Sequence, residues 1–572
     1  MASGKGRVAR ISAVLFVFLF FAGSAHADTL GQEQTFFVNQ KYDALGRISI
    51  TATLRLVSGH AYWYVENDAA LSGDQSQLQR INSGLTALAE TFDTIFYPIE
   101  TQFWGSEPNP GVDGDQRITI LLERLRPGNG GYFEATNEYP RNAVARSNER
   151  EMIALDAGSL NGQQMKMFLA HELQHLISFN QKENLRGSSE TVWLNEARSE
   201  YSLTRIGMNT PYDGSPLQQR VATFLRSPSD SLTQWPNVPA DYGITSVFIE
   251  YLTEQYGPEI LTESLQSSQV GIASLDEFFK EHNIADRFAD VFVNWMVAAS
   301  LNDVGYDRRF GYVRQGLKAM KVKPTNILLG DDSFTLTTEV AGWQPLWYEF
   351  FFSHGGASGA VRIDVNVVTG ESHPVALIVR YTDGSFRVHP VASLKAPRML
   401  YIPEEEEARI SSILLAVTHG GDSDTTVPRN TAYPLEVTVA VVDRSGSGTA
   451  ASAMILASER IPDGTLIRNG RELYVVQGNY RRSLSNSVVA LYGLKLEGAV
   501  PVSDQAANRY TISNYIRAAG QQKVYALWPD GTKHWLHMSW DTFVSSGRDW
   551  NSIFTVSPQE LARYRIGADI TR

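Results

Sequence analysis

Near residue 330 of this 572-residue chain the hydrophobic period changes, and that change limits the fold more than any other feature of the sequence. Upstream, Leu78, Ile81, Leu85, Leu88, Phe92 and Ile95 recur at helical spacing up to Pro98. Residues 210–325 also read as mainly helical, with 247–252 and 288–296 apolar on one side, as in a packed bundle. Downstream the period falls to two. Short runs at 350–352, 361–365, 375–381, 413–417 and 435–442 predict a β-sandwich. A helical core and a core of alternating strands are different packing solutions, so the chain reads as multidomain α+β.

The ends of the chain have their own signals. Lys5, Arg7 and Arg10 precede an apolar run from Ile11 to Ala22, and Ala25-His26-Ala27 forms a small-x-small site, so residues 1–27 are expected to be a secretory signal peptide cleaved near Ala27. The apolar run is too short for a comfortable membrane span, so no span is expected in the mature chain, which would be extracellular or periplasmic. The segment carries three basic and no acidic residues, so its loss shifts the formal net charge from −12 to −15. A chain this acidic is a poor partner for nucleic acid or anionic membrane. No cysteine is present, so stability must come from core size and bound ions rather than disulfides.

Past the linker Ser445-Gly-Ser-Gly-Thr449 the sequence repeats itself at an offset of 54: Gly493 meets Gly547, Val502-Ser503 meets Val556-Ser557, Gln505 meets Gln559, and Arg509-Tyr510 meets Arg563-Tyr564. Two tandem aromatic-rich modules are expected, as a stable spacer or as a cell-surface or polymer attachment unit. Exposed Trp528, Trp535, Trp540 and Trp550 would favour attachment.

The chemistry lies in His171-Glu172-Leu173-Gln174-His175. Residues four apart share a helix face, so both imidazoles can converge on one metal ion, with Glu172 beside them as the base. Asn161 with Gln164 is expected to cap this helix, and the polar stretch 181–189 to return the chain to a second helix, about 190–206, stopped by Gly207. On that helix Glu196 is placed as third ligand. Glu200, four residues on, is placed to accept a hydrogen bond from the other nitrogen of His171. Asp113 and Asp115 offer oxygens to a calcium ion, although a short acidic turn ahead of the strand at 117–122 reads equally as a turn.

HELQH together with NEARSE resembles the gluzincin metallopeptidases, whose best-known relative, thermolysin, carries HExxH followed by NEAxSD. Glu here replaces the usual Asp. The stretch FYPIETQFWGSEPNPGVDGDQRITILL with SNEREMIALD is similar to secreted bacterial peptidases of the hyicolysin type. The resemblance covers roughly residues 75–260. It implies one catalytic Zn²⁺ on His171, His175 and Glu196, Glu172 as catalytic base, Glu200 in the orienting role, and Tyr242 as oxyanion donor, with Tyr201 and Tyr212 weaker candidates for that task. The substrate implied is protein or peptide.

The expected organisation is therefore a signal peptide at 1–27 and an N-terminal β segment at 28–72, either a leading domain or the start of the catalytic sheet. A thermolysin-like zincin domain at 73–328, mostly helical in its later part, would follow, then a β-sandwich at 329–445 and the two modules at 446–572. The residues 128–133 would form an irregular strand along the cleft. Two other functions remain open: an aminopeptidase of the same clan, for which no GxMEN motif is found, and a surface-binding protein with a relic metal site.

Overall fold

The computed structural model describes residues 27–571, apart from 69–74, 161, 330–332, 353–356, 358–359, 403–408, 422–431, 443–460, 462–463, 471, 493–498, 503–506, 519–520, 522, 540–541 and 544–545. The linker at 445–449, Asn161, Gly493, Ser503, Gln505 and Trp540 thus lie outside the described residues.

A six-stranded sheet opens the fold: β1 (Glu33–Phe37), β2 (Ser49–Val57), β3 (Ala61–Glu66), β4 (Ile118–Glu123), β5 (Gly131–Phe133) and β6 (Met152–Asp156), in the order β1-β2-β3-β4-β6-β5. The first three strands form an antiparallel meander, and β3, β4 and β6 run parallel. The segment 28–72 therefore supplies half of this sheet. Every residue of β3 and β4 is buried, as expected of parallel strands covered on both faces. The edge strand β5 runs antiparallel to β6.

Helix α1 (Gln75–Thr91) buries Ile81, Leu85 and Leu88 as the sequence predicts. At Phe92–Phe96 the chain widens into a π turn, which shifts the register by one residue. Phe96 takes the core position and the expected Ile95 is left 42% exposed. Pro98 does not end the helix either. It sits in the first turn of α2 (Tyr97–Trp104), where a missing N–H costs little.

Helix α3 (Gln163–Phe179) begins after Gly162, and the expected capping residue, Asn161, lies outside the described residues. The polar return loop is partly buried. Lys182 donates to the carbonyls of Ser264 (2.8 Å), Ser267 (2.9 Å) and Gln269 and lies 3.5 Å from Glu190, so three backbone acceptors and a carboxylate compensate its burial. Helix α4 (Val192–Arg205) then packs along α3 and stops where expected. Gly207 takes φ +84°, the Met208 amide bonds the Leu203 carbonyl at 2.9 Å, and the Gly207 amide bonds that of Thr204 at 3.2 Å.

Helices α5 (Pro216–Arg226), α6 (Pro239–Tyr256), α7 (Glu259–Gln266), α8 (Gly271–Glu281) and α9 (Phe288–Leu301) complete the helical part. The segments 247–252 and 288–296 are not one-sided: 247–252 are buried throughout, as are nearly all of 288–296. The reason is that α9 lies between the other helices and a second body, so past its first turn it has no solvent face.

That second body has two antiparallel-rich sheets. One has the order β13 (Arg398–Ile402), β10 (Ala360–Asn366), β15 (Ala432–Val442), β8 (Ser333–Ala341). The other runs β12 (Phe386–Leu394), β11 (His373–Tyr381), β14 (Ile410–Val417), β9 (Leu346–Phe352), β7 (Thr325–Leu329). The outer face of β11 and β14, through Ala376, Ile378, Leu414 and Ala416, joins the same apolar cluster as α9.

Two small sheets end the chain. The first comprises β16 (Leu466–Asn469), β17 (Glu472–Gln477), β18 (Tyr480–Leu484), β19 (Val500–Pro501) and β20 (Thr511–Ile512); the second β21 (Tyr515–Ala518), β22 (Val524–Leu527), β23 (Thr532–Trp535), β24 (Ile553–Val556) and β25 (Arg565–Ile566). Both have one plan: an antiparallel three-strand meander with the fourth strand parallel to the first and the fifth parallel to the third. A buried ion pair, Arg482 to Glu560 at 2.6 Å, joins the two sheets' surroundings, and the hydroxyls of Tyr492 and Tyr564 donate to the same carboxylate. Trp528 is 51% exposed and stacks on His534, and half-buried Trp535 stacks on His537.

Candidate metal centre

Helices α3 and α4 bring His171, His175 and Glu196 together. The ligand atoms of all three lie within 4.8 Å of one another. His171 Nε2 is 3.2 Å from His175 Nε2 and 3.1 Å from Glu196 Oε2, and His175 Nε2 is 3.6 Å from Glu196 Oε1. Donors about 2.0–2.1 Å from a tetrahedral ion stand about 3.3 Å apart, so this set fits one such ion, and its two imidazoles and a carboxylate are ligands that zinc accepts. Without a cation the same atoms contend for a proton. Burial drives the His171 imidazole down, but the hydrogen bond and charge of Glu196 outweigh it and raise its pKa to about 9. Burial acts against the Glu196 carboxylate as well, yet His175 and His171 hold it below its usual range. A divalent cation would replace that proton.

With both Nε2 atoms facing Glu196, the Nδ1 atoms turn to supporting groups. His171 Nδ1 stands 3.6 Å from Glu200 Oε1. That is an ion-pair distance, not the expected hydrogen bond. Both Glu200 oxygens are already engaged: Arg220 donates from Nε (2.8 Å) and Nη2 (2.7 Å), and Ser246 Oγ adds a third bond at 3.0 Å. Burial raises the Glu200 pKa, but Arg220 overcomes this and keeps the group charged. His175 Nδ1 is 3.2 Å from Ser199 Oγ, which donates to Gln174 Oε1 at 2.6 Å; Gln174 Nε2 in turn donates to Ser178 at 2.8 Å. Neither Arg220 nor Ser199 was singled out from sequence. Ser199 lies inside the NEARSE motif, three residues after Glu196 and so on the same face, which is a signal that could have found it.

Beside this cluster opens a cavity of about 430 Å³, whose walls include His171, Glu172, Glu200, Arg220 and Tyr242. Glu172 is buried, and loss of solvent raises its pKa while His171 and His175 pull it back. The residues 128–131 form another wall, and here glycine is required: a Cβ on Gly130 would come within 1.8 Å of the Phe168 ring, and one on Gly131 within 2.9 Å of the Ala154 carbonyl. Tyr242 has its hydroxyl on Asn237 Oδ1 at 3.1 Å and its ring under the Arg220 guanidinium at 4.7 Å. Burial and the charges of Glu196 and Glu200 raise its pKa, so the phenol stays protonated. Tyr201 and Tyr212 are not among the lining residues; Tyr201 packs against Phe103 and Trp104 instead. Asp113 and Asp115 lie outside this site. Their carboxylates accept amides of their own turn, and Asp115 also accepts the Tyr62 hydroxyl at 2.8 Å.

No known family profile matches the chain. Over 221 residues it is 28% identical to the neutral metalloprotease ShpI of Staphylococcus hyicus, a match covering 34% of this chain and 48% of that protein. The chain thus spans about half the length of the curated relative it matches. Among solved structures, the Yersinia pseudotuberculosis-derived mitogen is 10% identical and covers 21% of this chain and 92% of its own, with a TM-score of 0.15. The surface-associated copper-binding protein CorA of Methylomicrobium album BG8 is likewise 10% identical, over 21% and 98%, with a TM-score of 0.15. Similarity that low carries no argument about this fold. What remains is the ShpI match over about a third of this chain and a His-His-Glu set able to hold a metal ion.

Proposed function

We propose that the chain is a secreted zinc-dependent metalloendopeptidase, exported by the signal at residues 1–27, with His171, His175 and Glu196 as zinc ligands and Glu172 as general base. The observation that carries this reading is the spacing of the three donors, which matches a tetrahedral ion at one wall of a cavity that also holds Glu172. Zinc, when bound, acidifies a water molecule and polarises a carbonyl. Glu172 takes the proton from water onto its carboxylate and delivers it to the departing amine. Glu200, held charged by Arg220 and Ser246, steers the His171 ring by its charge across 3.6 Å, and Ser199 orients His175 through a hydrogen bond. Tyr242 exchanges Asn237 for the carbonyl oxygen and donates to it as negative charge develops there.

The test uses the purified mature chain, zinc and an N-acylated, internally quenched peptide. Hydrolysis that a chelator abolishes and zinc restores is expected, and cleavage of unblocked N-termini alone would instead make the chain an aminopeptidase. Glu172→Gln should keep the metal and lower kcat by about 10²–10⁴-fold. Unchanged proteolysis in that variant sinks the mechanism.

A further inference from the structure

The cavity has a wall that the HExxH motif gives no hint of. Tyr42, on the loop between β1 and β2, lines it together with His171 and Glu172. The loop is fixed at both backbone groups of this residue: its amide donates to the Asn39 carbonyl (3.0 Å), and its carbonyl accepts from the Arg126 amide (2.8 Å). The next residue, fully buried Asp43, bridges Leu125 and accepts the amides of Leu45 (2.9 Å) and Arg47 (2.7 Å) as well as the Arg47 guanidinium. The ring is fixed too. It stacks on Tyr132 of β5 with centroids 5.0 Å apart, and Tyr132 is anchored by its hydroxyl on Glu123 (2.7 Å).

The hydroxyl of Tyr42 stands in contrast to this restraint. No hydrogen-bond partner is found for it among the described residues, whereas the Tyr242 hydroxyl is already engaged with Asn237. Burial, then the charges of Glu172 and Glu196, raise its pKa, so it keeps its proton while facing the reaction centre. A rigid donor without an acceptor, on the wall of a peptide-binding cavity, is arranged in advance for an acceptor that the ligand brings. Peptide substrates bring carbonyl oxygens, and the one that gains charge near Glu172 and Glu196 is the carbonyl under attack.

We infer that Tyr42 is a catalytic residue: its phenolic O–H donates to the oxygen of the scissile carbonyl, as a second donor lining the same cavity as Tyr242. This rests on the peptidase reading above. It also makes the N-terminal β segment part of the active site and not a leading domain apart from it.

Tyr42→Phe removes only the oxygen and keeps the stack on Tyr132. On the blocked peptide, kcat should fall by about 100-fold with KM unchanged, the loss expected for one preorganised oxyanion donor. Binding of a phosphinic peptide, whose tetrahedral centre mimics the attacked carbonyl, should weaken by the same factor, while zinc content and melting temperature stay at wild-type values. An unchanged kcat, or an effect confined to KM, overturns the inference while leaving the peptidase reading intact. A zinc-loaded wild-type chain that leaves the peptide whole overturns both. Should Tyr42→Phe melt early, Asn39→Ala, which disturbs the loop but keeps the phenol, supplies the control: equal losses in the two variants overturn a role for the hydroxyl.

Discussion

Ser199 shows how a single hydroxyl orders a histidine of the proposed zinc site. Its Oγ donates to Gln174 Oε1 at 2.6 Å and lies 3.2 Å from His175 Nδ1, so it holds that edge of the ring while Nε2 is turned toward His171 and Glu196. Replacing it, Ser199→Ala, should weaken zinc binding by about 10- to 100-fold, read by competition with a chromogenic chelator. The Gln174 oxygen left without a donor in a fully buried site should cost a further 1–3 kcal/mol or so of stability. The convergence of His171 and His175 was legible because helix geometry ties residues four apart to one face. Arg220 and Tyr42 were not legible, because they reach the site through packing of distant segments, which no local spacing records. Glu200 was legible as a neighbour of His171 but not as a partner already taken by Arg220.

At the scale of elements, two surfaces set the cleft. The first is β5 against α3. A methyl on Gly131 would stand 2.9 Å from the Ala154 carbonyl and 3.1 Å from Glu172 Cγ, so the strand would have to lift from the helix that carries Glu172. Gly131→Ala should cost about 1–3 kcal/mol through overpacking, and its kcat should fall further than its melting temperature implies. The second is the start of α6, which carries Tyr242. Asp230 Oδ2 and Asp241 Oδ1 are both buried without a donor, a situation two carboxyl groups resolve only if one keeps a proton. Burial and the neighbouring Asp241 raise the pKa of Asp230 from 3.8 to about 7. Because the folded value lies above the unfolded one, this stabilisation is fully present below pH 3.8 and is lost as pH rises through about 7. Melting temperatures of wild type and Asp230→Asn across that window check it: their difference should change with pH, since the amide donates without titrating. Helix and strand identities were readable from period. The π turn that exchanged Ile95 for Phe96 and the burial of α9 on all sides were not, because both are settled by what packs against the helix.

For the molecule as a whole, the period change near residue 330 marks a change of architecture but not a break in the core. Trp343 packs on Phe288 and Phe292 with centroids 4.6 and 5.3 Å apart, and the Trp347 indole donates to the Met296 carbonyl at 3.0 Å. The same strand region clamps the loop before α6: Ser231 donates to the Gly342 carbonyl, the Leu232 amide to that of Trp343, and Gln344 to that of Ser229. The sandwich therefore supports the segment that leads to Asn237 and Tyr242 at the cavity. The two final sheets differ in this respect, since their apolar clusters are separate from the one shared by the helices and β11 and β14. A chain ending after Val442 should accordingly keep its zinc and its hydrolysis of the blocked peptide. A chain ending after Val322 would expose Trp295, Phe292 and Phe288 and release the 229–232 loop, so it should aggregate or lose turnover, as size-exclusion chromatography and the peptide assay would report. Full activity in that shorter chain would mean that the sandwich is a passenger and that α9 carries its buried face for some other reason.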